Sequence, residues 1–469
     1  MLPKPIGLQR EVLYLPPTGH FVVLGTAGSG KTTLAILRAA YLSKEFTKEG
    51  ERTLLVTFNN TLRAYLESIG TEELRNVDVH TYHKFARGYL KSHGKMGPSS
   101  ILSNREYLVK QALEQVKEEF HDPILKRPVE VFCKEFAWIA RSGITSMDDY
   151  KKAERVGMNT RVPRKQRELF FTVYQRYLKL RTEAGYLYDW DDIAQYVLQE
   201  LLADFTPRRY KHVVIDEGQD FSPVMLKSLA ATIPEDGSLT LFGDVAQQIY
   251  GVRLSWRSAG LHPTKVWKFR ENYRNTKQIA RLALAVAKGP YYAGVPDMVE
   301  PTSPKADGPL PAVVRFAEEA AEKNFIVKQA AQMERTQSVA IMLRTVELVR
   351  DYVRKLNAEG LCVTRLDKRM GEWADKPGIY VSTFHAAKGM EFDAVIIPHC
   401  TDATFLTDDR LTVANSEDEV LREEVRLFYV GITRARNRLI ITCTNEPTRL
   451  LPRQDGLYQE VDYGHYAEV

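Results

Sequence analysis

Apolar positions along the chain fall into two textures. Short apolar runs that stop at a glycine or a polar turn occur at 21–24, 53–58, 212–215 and 239–244, and residues 77–87 read as a strand and a turn. Such runs return at 312–316, 338–343, 378–383, 393–398 and 438–443. Their length predicts buried strands, and helix-forming stretches follow several of them, as at Leu34–Ala40, 317–333, 345–357 and 421–429. Asn59, Asn60 and Thr61 cap a further helix predicted from about Leu62. Strands alternating with helices predict parallel sheets of the α/β class, in two units. From about residue 90 to 205 the period becomes helical, as in Tyr107–Phe120, Val129–Ala140 and Arg167–Arg181, and strand signals nearly vanish. That stretch predicts a helical insertion into the first unit. Pro296, Pro301, Pro304, Pro309 and Pro311, with Gly294 and Gly308, predict a long surface loop before the second unit. The tail from Glu446 carries only weak structure signals.

The first strand ends in Gly25-Thr26-Ala27-Gly28-Ser29-Gly30-Lys31-Thr32-Thr33, and a helix pattern follows. Glycine, four residues, then Gly-Lys-Thr between a strand and a helix is the P-loop pattern in the setting it requires. The glycines let several backbone N–H groups converge on one anion, and the helix start adds the positive end of its dipole. Lys31 supplies a cation for the β- and γ-phosphates of ATP, and the Thr32 hydroxyl can ligate Mg²⁺. Residues 212–215 end in Asp216-Glu217, an acidic pair at a strand end. Beside a P-loop, Asp216 is the metal-side carboxylate and Glu217 the group that orients and deprotonates water. Past the strand at 239–244, Gln247 and Gln248 are placed to sense a γ-phosphate.

Hydrolysis shared between two units needs a cation from the second one, placed only when they close. Arg274 and Arg434 are the candidates. Arg434 and Arg436 lie two apart and point to different faces of a helix, so at most one reaches a given ligand. Thr383, His385 and Lys388 cluster at a strand end and suit phosphate contacts.

Composition narrows the setting. The 469 residues carry 44% hydrophobic and 27% charged side chains and a net charge of +5, which permits a nucleic-acid partner. Segment 151–168 alone holds seven basic and two acidic residues, a surplus as large as that of the whole chain. The four cysteines are far apart with no CxxC spacing, which disfavours zinc, iron–sulfur or disulfide frameworks. The N-terminus is no signal peptide and no apolar run reaches the roughly 20 residues of a membrane span. These features predict a cytoplasmic protein without membrane contact.

The motifs, in this order, resemble the UvrD/Rep/PcrA group of superfamily 1A DNA helicases over nearly the whole chain. The resemblance implies two RecA-like parallel-sheet domains with ATP and Mg²⁺ between them. Residues 1–90 with 205–270 form the ATP-binding domain, 91–204 a helical 1B-like insertion, 271–445 the second domain and 446–469 a tail. The resemblance implies that Gln9 reads adenine and that Gln247 senses the γ-phosphate. It makes Arg274 the arginine of a Tyr-Arg pair and Arg434 the finger of Gly-x-Thr-Arg-Ala. Glu391 falls at the ribose. Phe58, Asn59, Tyr82, His83, Thr383 and His385 fall on DNA-contact motifs, with Phe85 beside them. Asp189-Trp190-Asp191-Asp192 looks like the family's acidic segment. The implied activity is ATP-dependent translocation on single-stranded or partly duplex DNA, with 3′→5′ unwinding.

Three departures qualify the likeness. The family's stacking tryptophan after Tyr250 is absent, and Trp256 is the replacement in reach. About thirty residues separate Arg344 from Gly378, too few for the family's large 2B domain. No nuclease motif follows Arg434. The alternative is a DNA-stimulated ATPase that serves as sensor or motor subunit beside a nuclease partner, as in Gabija-type antiphage pairs.

Overall fold

The computed structural model describes residues 4–26, 28–58, 63, 74, 76–155, 162–244, 259–291, 306–366, 376–414 and 416–463. Among the described residues, eight strands precede the proline-rich stretch 291–311: β1 (Gly19–Gly25), β2 (Arg52–Thr57), β3 (Val77–Thr81), β4 (Ile101–Leu102), β5 (Tyr188–Asp189), β6 (Tyr210–Ile215), β7 (Ser238–Gly243) and β8 (Val266–Phe269). Seven follow it: β9 (Ala312–Phe316), β10 (Ser338–Leu343), β11 (Val363–Arg365), β12 (Gly378–Thr383), β13 (Phe392–Ile397), β14 (Ala435–Thr444) and β15 (Gln459–Asp462).

The first sheet runs β3-β2-β6-β7-β1-β8 and the second β11-β12-β10-β13-β14-β9-β15. Every pairing in both is parallel. The fold is α/β, with two RecA-like parallel-sheet units. Parallel strands are covered on both faces, which is why their sequences read as apolar runs rather than alternations. Val22 and Leu24 enter one core, and Val23 enters the core on the opposite face. In the second sheet every residue of β10 is buried.

Two features of this topology matter for function. The strand order places β7 between β1 and β6, so the ends of all three lie side by side. Their C-terminal ends carry Gly25, Asp244 and Asp216, and ligands on such sheets sit at those ends. Arg38 is fully buried and donates to the carbonyls of Leu13, Leu15 and Pro16 at 2.9, 2.7 and 2.7 Å. That clamp fixes the N-terminal helix Leu8–Leu13, and with it Gln9, against the helix that begins at Lys31.

The stretch 91–204 holds helices Glu106–Glu119, Val129–Ser142, Met147–Lys152, Arg167–Glu183 and Ile193–Ala203. An aromatic core of Phe132, Phe136, Phe170, Phe171, Tyr174 and Tyr177 packs the first four together, whereas Ile193, Ala194, Val197 and Leu201 of the last join the core of the first sheet. The stretch also contains the small β4–β5 pair, which no apolar run announces. The tail adds a strand as well: β15 pairs with β9 at the edge of the second sheet. The helix predicted near Leu62 lies outside the described residues, apart from Arg63.

Candidate nucleotide and nucleic-acid site

β1 closes at Gly25, and the Thr26 N–H donates to the carbonyl of Phe269 at 3.1 Å. Gly28 and Gly30 have φ of +74° and +81°, the left-handed region that favours glycine. A Cβ at Gly28 would also collide with Asn272 Oδ1 and Arg274 Cβ, so the loop is built against residues 272–274. Lys31 opens the following helix. Its Nζ donates to the carbonyls of Gly25 and Thr26 at 2.9 and 2.6 Å and lies 3.9 Å from Asp244 Oδ2. Burial lowers the Lys31 pKa, against the pull of Asp244 and Glu217.

Asp216 and Glu217 follow β6. Asp216 is buried, and its Oδ2 has no hydrogen-bond partner. Burial, then the neighbouring Glu217 charge, pushes its pKa up to about 7, while the Thr32 hydroxyl bonds to it and opposes the rise. One orphaned carboxylate oxygen beside one hydroxyl is a hard-oxygen donor pair that fits Mg²⁺. That ion takes few protein ligands and completes its shell with phosphate oxygens and water. Accordingly, no cluster of three or more metal-ligating His, Cys, Asp or Glu side chains occurs among the described residues.

Glu217 has φ +54°, an uncommon conformation for a non-glycine residue. Burial alone would raise its pKa, but Lys388, Lys31 and Arg434 outweigh that and hold the carboxyl below its usual range. Gln219 Nε2 donates to Glu217 Oε2, and Gln219 Oε1 accepts from the Asp244 N–H at 2.8 Å. Glu217 is thereby tied to the end of β7, from which Gln247 follows in sequence.

The second half supplies the cations. Lys388 and Asp220 form an ion pair at 2.6 Å across the two halves, with side chains 1% and 2% exposed. Arg434 is fully buried at the junction of helix Glu417–Thr433 and β14. It donates to the carbonyls of Val430 and Met390 at 3.1 and 3.2 Å. Burial and the neighbouring Arg274 lower its pKa to about 10, with Glu217, Glu391 and Asp244 opposing. Arg274 pairs with Glu391, which also accepts from Arg436 Nε at 3.2 Å. Glu391, expected at the ribose, is held between these two arginines.

A cleft of about 290 Å³ beside Gly30 is lined by Gln9, Ile6, Leu37, Thr33 and Tyr273, among others. Gln9 Nε2 donates to the Ser29 carbonyl at 3.0 Å. An exposed aromatic ring, aliphatic walls and one amide suit a purine base. Tyr273 was not singled out from sequence, although it directly precedes Arg274.

The nucleic-acid candidates divide. Thr383 ends β12, and burial followed by the Arg344, Lys388 and Arg410 cations lowers the His385 pKa to about 4. Phe58 packs edge-on against His83 and Phe221. His83 meets Trp190 edge-on at 5.2 Å, and a groove of about 620 Å³ lined by His83, Lys84, Arg87, Lys91 and Trp190 opens there. Basic residues around an exposed aromatic suit a single strand. Tyr82 requires a correction: it is fully buried, with its hydroxyl 2.6 Å from Ser228 Oγ. It faces the core because it opens a helix whose other side carries His83. Trp190 enters the sequence reading only as a member of the acidic segment, with no nucleic-acid role attached to it. It rides on the acidic segment, where Asp191 pairs with Arg105 and Arg141 and Asp192 with Arg181. Ala27, Asn59, Gln247, Tyr250 and Trp256 lie outside the described residues.

The family model described as the UvrD/REP helicase N-terminal domain matches residues 8–271, and that of the UvrD-like helicase C-terminal domain matches 363–446. A "Probable DNA helicase" of Mycoplasma pneumoniae is 26% identical over 92% of this chain and 84% of its own length. The ATP-dependent DNA helicase UvrD2 of Mycobacterium tuberculosis is 23% identical over 92% of this chain and 78% of its own. The ATP-dependent DNA helicase srs2 of Schizosaccharomyces pombe is 27% identical, over 59% of this chain and 34% of its own.

Proposed function

The chain belongs to the UvrD/REP helicase family, and from that premise we propose an ATP-dependent DNA helicase that moves 3′→5′ along single-stranded DNA. The observation that carries the reading is the convergence of Lys31 and Glu217 from the first half with Lys388 and Arg434 from the second. Lys31 binds the β- and γ-phosphates, moving off the carbonyls of Gly25 and Thr26. Thr32 and Asp216 would hold Mg²⁺, which when bound would supply neutralisation of phosphate charge. Glu217, kept ionised by its cationic neighbours, accepts the proton of the attacking water. Arg434 and Arg274 offset the charge that develops on the transferred phosphoryl group. The base sits between Gln9 and Tyr273. A single strand runs over the strand ends past Phe58, His83, Trp190, Thr383 and His385.

Lys31→Ala and Glu217→Gln should each abolish DNA-stimulated ATP hydrolysis. Wild-type rates in both would overturn the site assignment. Polarity is read by strand displacement on 3′-tailed against 5′-tailed duplexes.

A second reading keeps the ATPase and assigns unwinding to a complex with a nuclease. It is favoured by the passage from β10 to β12, which holds helix Val346–Ala358 and β11 and leaves no length for an added domain. ATP turnover on DNA with no displacement by the isolated protein would select it.

A further inference from the structure

We infer that Asn275 is a positioning residue that joins Arg274 and Arg434 into one unit, so that a transition state engages both arginines or neither. This rests on the roles proposed above for the two arginines. The Asn275 side chain is 2% exposed. Its Nδ2 donates to the Thr433 carbonyl at 3.2 Å and to the Ala435 carbonyl at 2.5 Å, the residues on either side of Arg434. Its Oδ1 accepts from Asn272 Nδ2 at 2.9 Å. Both N–H groups and the oxygen are thus used, and a flipped amide would set its oxygen against two carbonyls.

Asn272 completes the chain of contacts. Its Oδ1 accepts from the N–H groups of Arg274 and Asn275 at 3.0 and 3.2 Å. The neighbouring Tyr273 N–H donates to the Gly28 carbonyl at 2.9 Å. A continuous polar path therefore runs from the P-loop, through the backbone of Arg274, to both flanks of Arg434. Thr433 ends a helix and Ala435 begins β14, so Arg434 stands at a turn whose carbonyls need outside donors. The Thr276 N–H reinforces the junction by donating to the Arg436 carbonyl at 3.2 Å.

Asn275 touches neither arginine's guanidinium, so its loss should leave ground-state nucleotide binding nearly unchanged. The informative variant is Asn275→Asp, which keeps the shape and replaces the two donors with an acceptor facing carbonyls. Affinities for fluorescent ADP, and for ADP with aluminium fluoride as a transition-state mimic, are measured on the full chain with single-stranded DNA present. Arg274→Ala, Arg434→Ala and Asn275→Ala are measured alongside.

The expected result is a loss of about 10²-fold for the mimic in Asn275→Asp, with ADP affinity within twofold. A misplacement of about 1 Å is enough for that loss. Arg274→Ala combined with Asn275→Asp should lose no more than Arg274→Ala alone. Losses that multiply instead, or equal losses for ADP and the mimic, would overturn the positioning role. If Arg274→Ala and Arg434→Ala themselves keep wild-type affinity for the mimic, the arginine reading fails first. If they lose it while Asn275→Asp keeps it, only the inference about Asn275 fails. Thermal melting of Asn275→Asp and Asn275→Ala, read beside the binding data, separates unfolding from misplacement.

Discussion

Burial and the neighbouring Glu217 charge raise the Asp216 pKa, which gives the nucleotide site a pH dependence with a definite sign. Burial raises its pKa to about 7, so below that pH the carboxyl is protonated and must lose the proton before it can hold a metal ion. Mg²⁺ affinity should therefore fall as pH falls. The Mg²⁺ concentration for half-maximal ATP hydrolysis should be about tenfold higher at pH 6 than at pH 8. A flat Mg²⁺ requirement across that range would mean that the Asp216 carboxyl is already ionised at pH 6. One residue on the helix Tyr82–Ser92 and one in the turn after β5 test the nucleic-acid face in the same residue-by-residue way. Tyr82→Phe removes one buried hydrogen bond to Ser228 and should cost about 1 kcal/mol of stability with DNA affinity unchanged. Trp190→Ala should weaken single-stranded DNA binding by about 1–3 kcal/mol in a fluorescence titration, the range of one base stack. Equal DNA binding by wild type and Trp190→Ala would take the groove beside His83 off the path of the strand.

At the level of elements, the helix that ends at Arg434 begins earlier than its apolar run. The apolar pattern predicts 421–429, whereas the helix spans Glu417–Thr433. Ser416 Oγ accepts from the Glu419 N–H at 3.3 Å, and three acidic residues fill the first turn, where the helix dipole favours them. Behind the same sheet, Glu322 ties helix Glu319–Met333 to β13 and β14. It accepts from the His399 N–H at 2.8 Å and from the hydroxyls of Thr442 and Thr444 at 2.5 and 2.7 Å. Burial alone would raise its pKa; the His399 and threonine donors overcome that and lower it to about 2. A depressed carboxyl stabilises the fold above its unfolded value, and that contribution is lost as pH falls from about 4.5 towards 2. Glu322→Ala takes the acceptor from the His399 N–H and ring Nδ1 and from the Thr442 and Thr444 hydroxyls, and should cost about 3 kcal/mol. The midpoint of urea unfolding checks this, and an unchanged midpoint would show the network to be dispensable.

Across the whole molecule, the buried Lys388–Asp220 pair joins the two halves. Removing one partner leaves a buried charge without its counterion, at about 3–5 kcal/mol. Lys388→Met should shift the molecule towards an open arrangement, seen as a longer donor–acceptor distance by fluorescence transfer between labels on the two halves. Asp220→Asn in the same chain should restore much of the wild-type distance. An unaltered distribution in Lys388→Met would mean that other contacts hold the halves together. Because Lys388 follows Thr383 and His385 within one turn segment, the pair also lies between the proposed strand path and Glu217.

The sequence by itself determined the α/β class and the chemistry of the phosphate end of the site. Both are local: parallel strands are apolar on both faces, and a P-loop needs its glycines, lysine and threonine within one turn. The β4–β5 pair and the edge strand β15 escaped it, since strands of two to four residues leave no period to detect. Only the tertiary structure separated Tyr82 from His83, because which side of a helix meets the core depends on what packs against it. The same holds for Trp190, Tyr273, Lys388 and Asn275. Each acts through partners distant in the chain, and a pattern read along one strand of sequence contains no term for contacts that folding brings together.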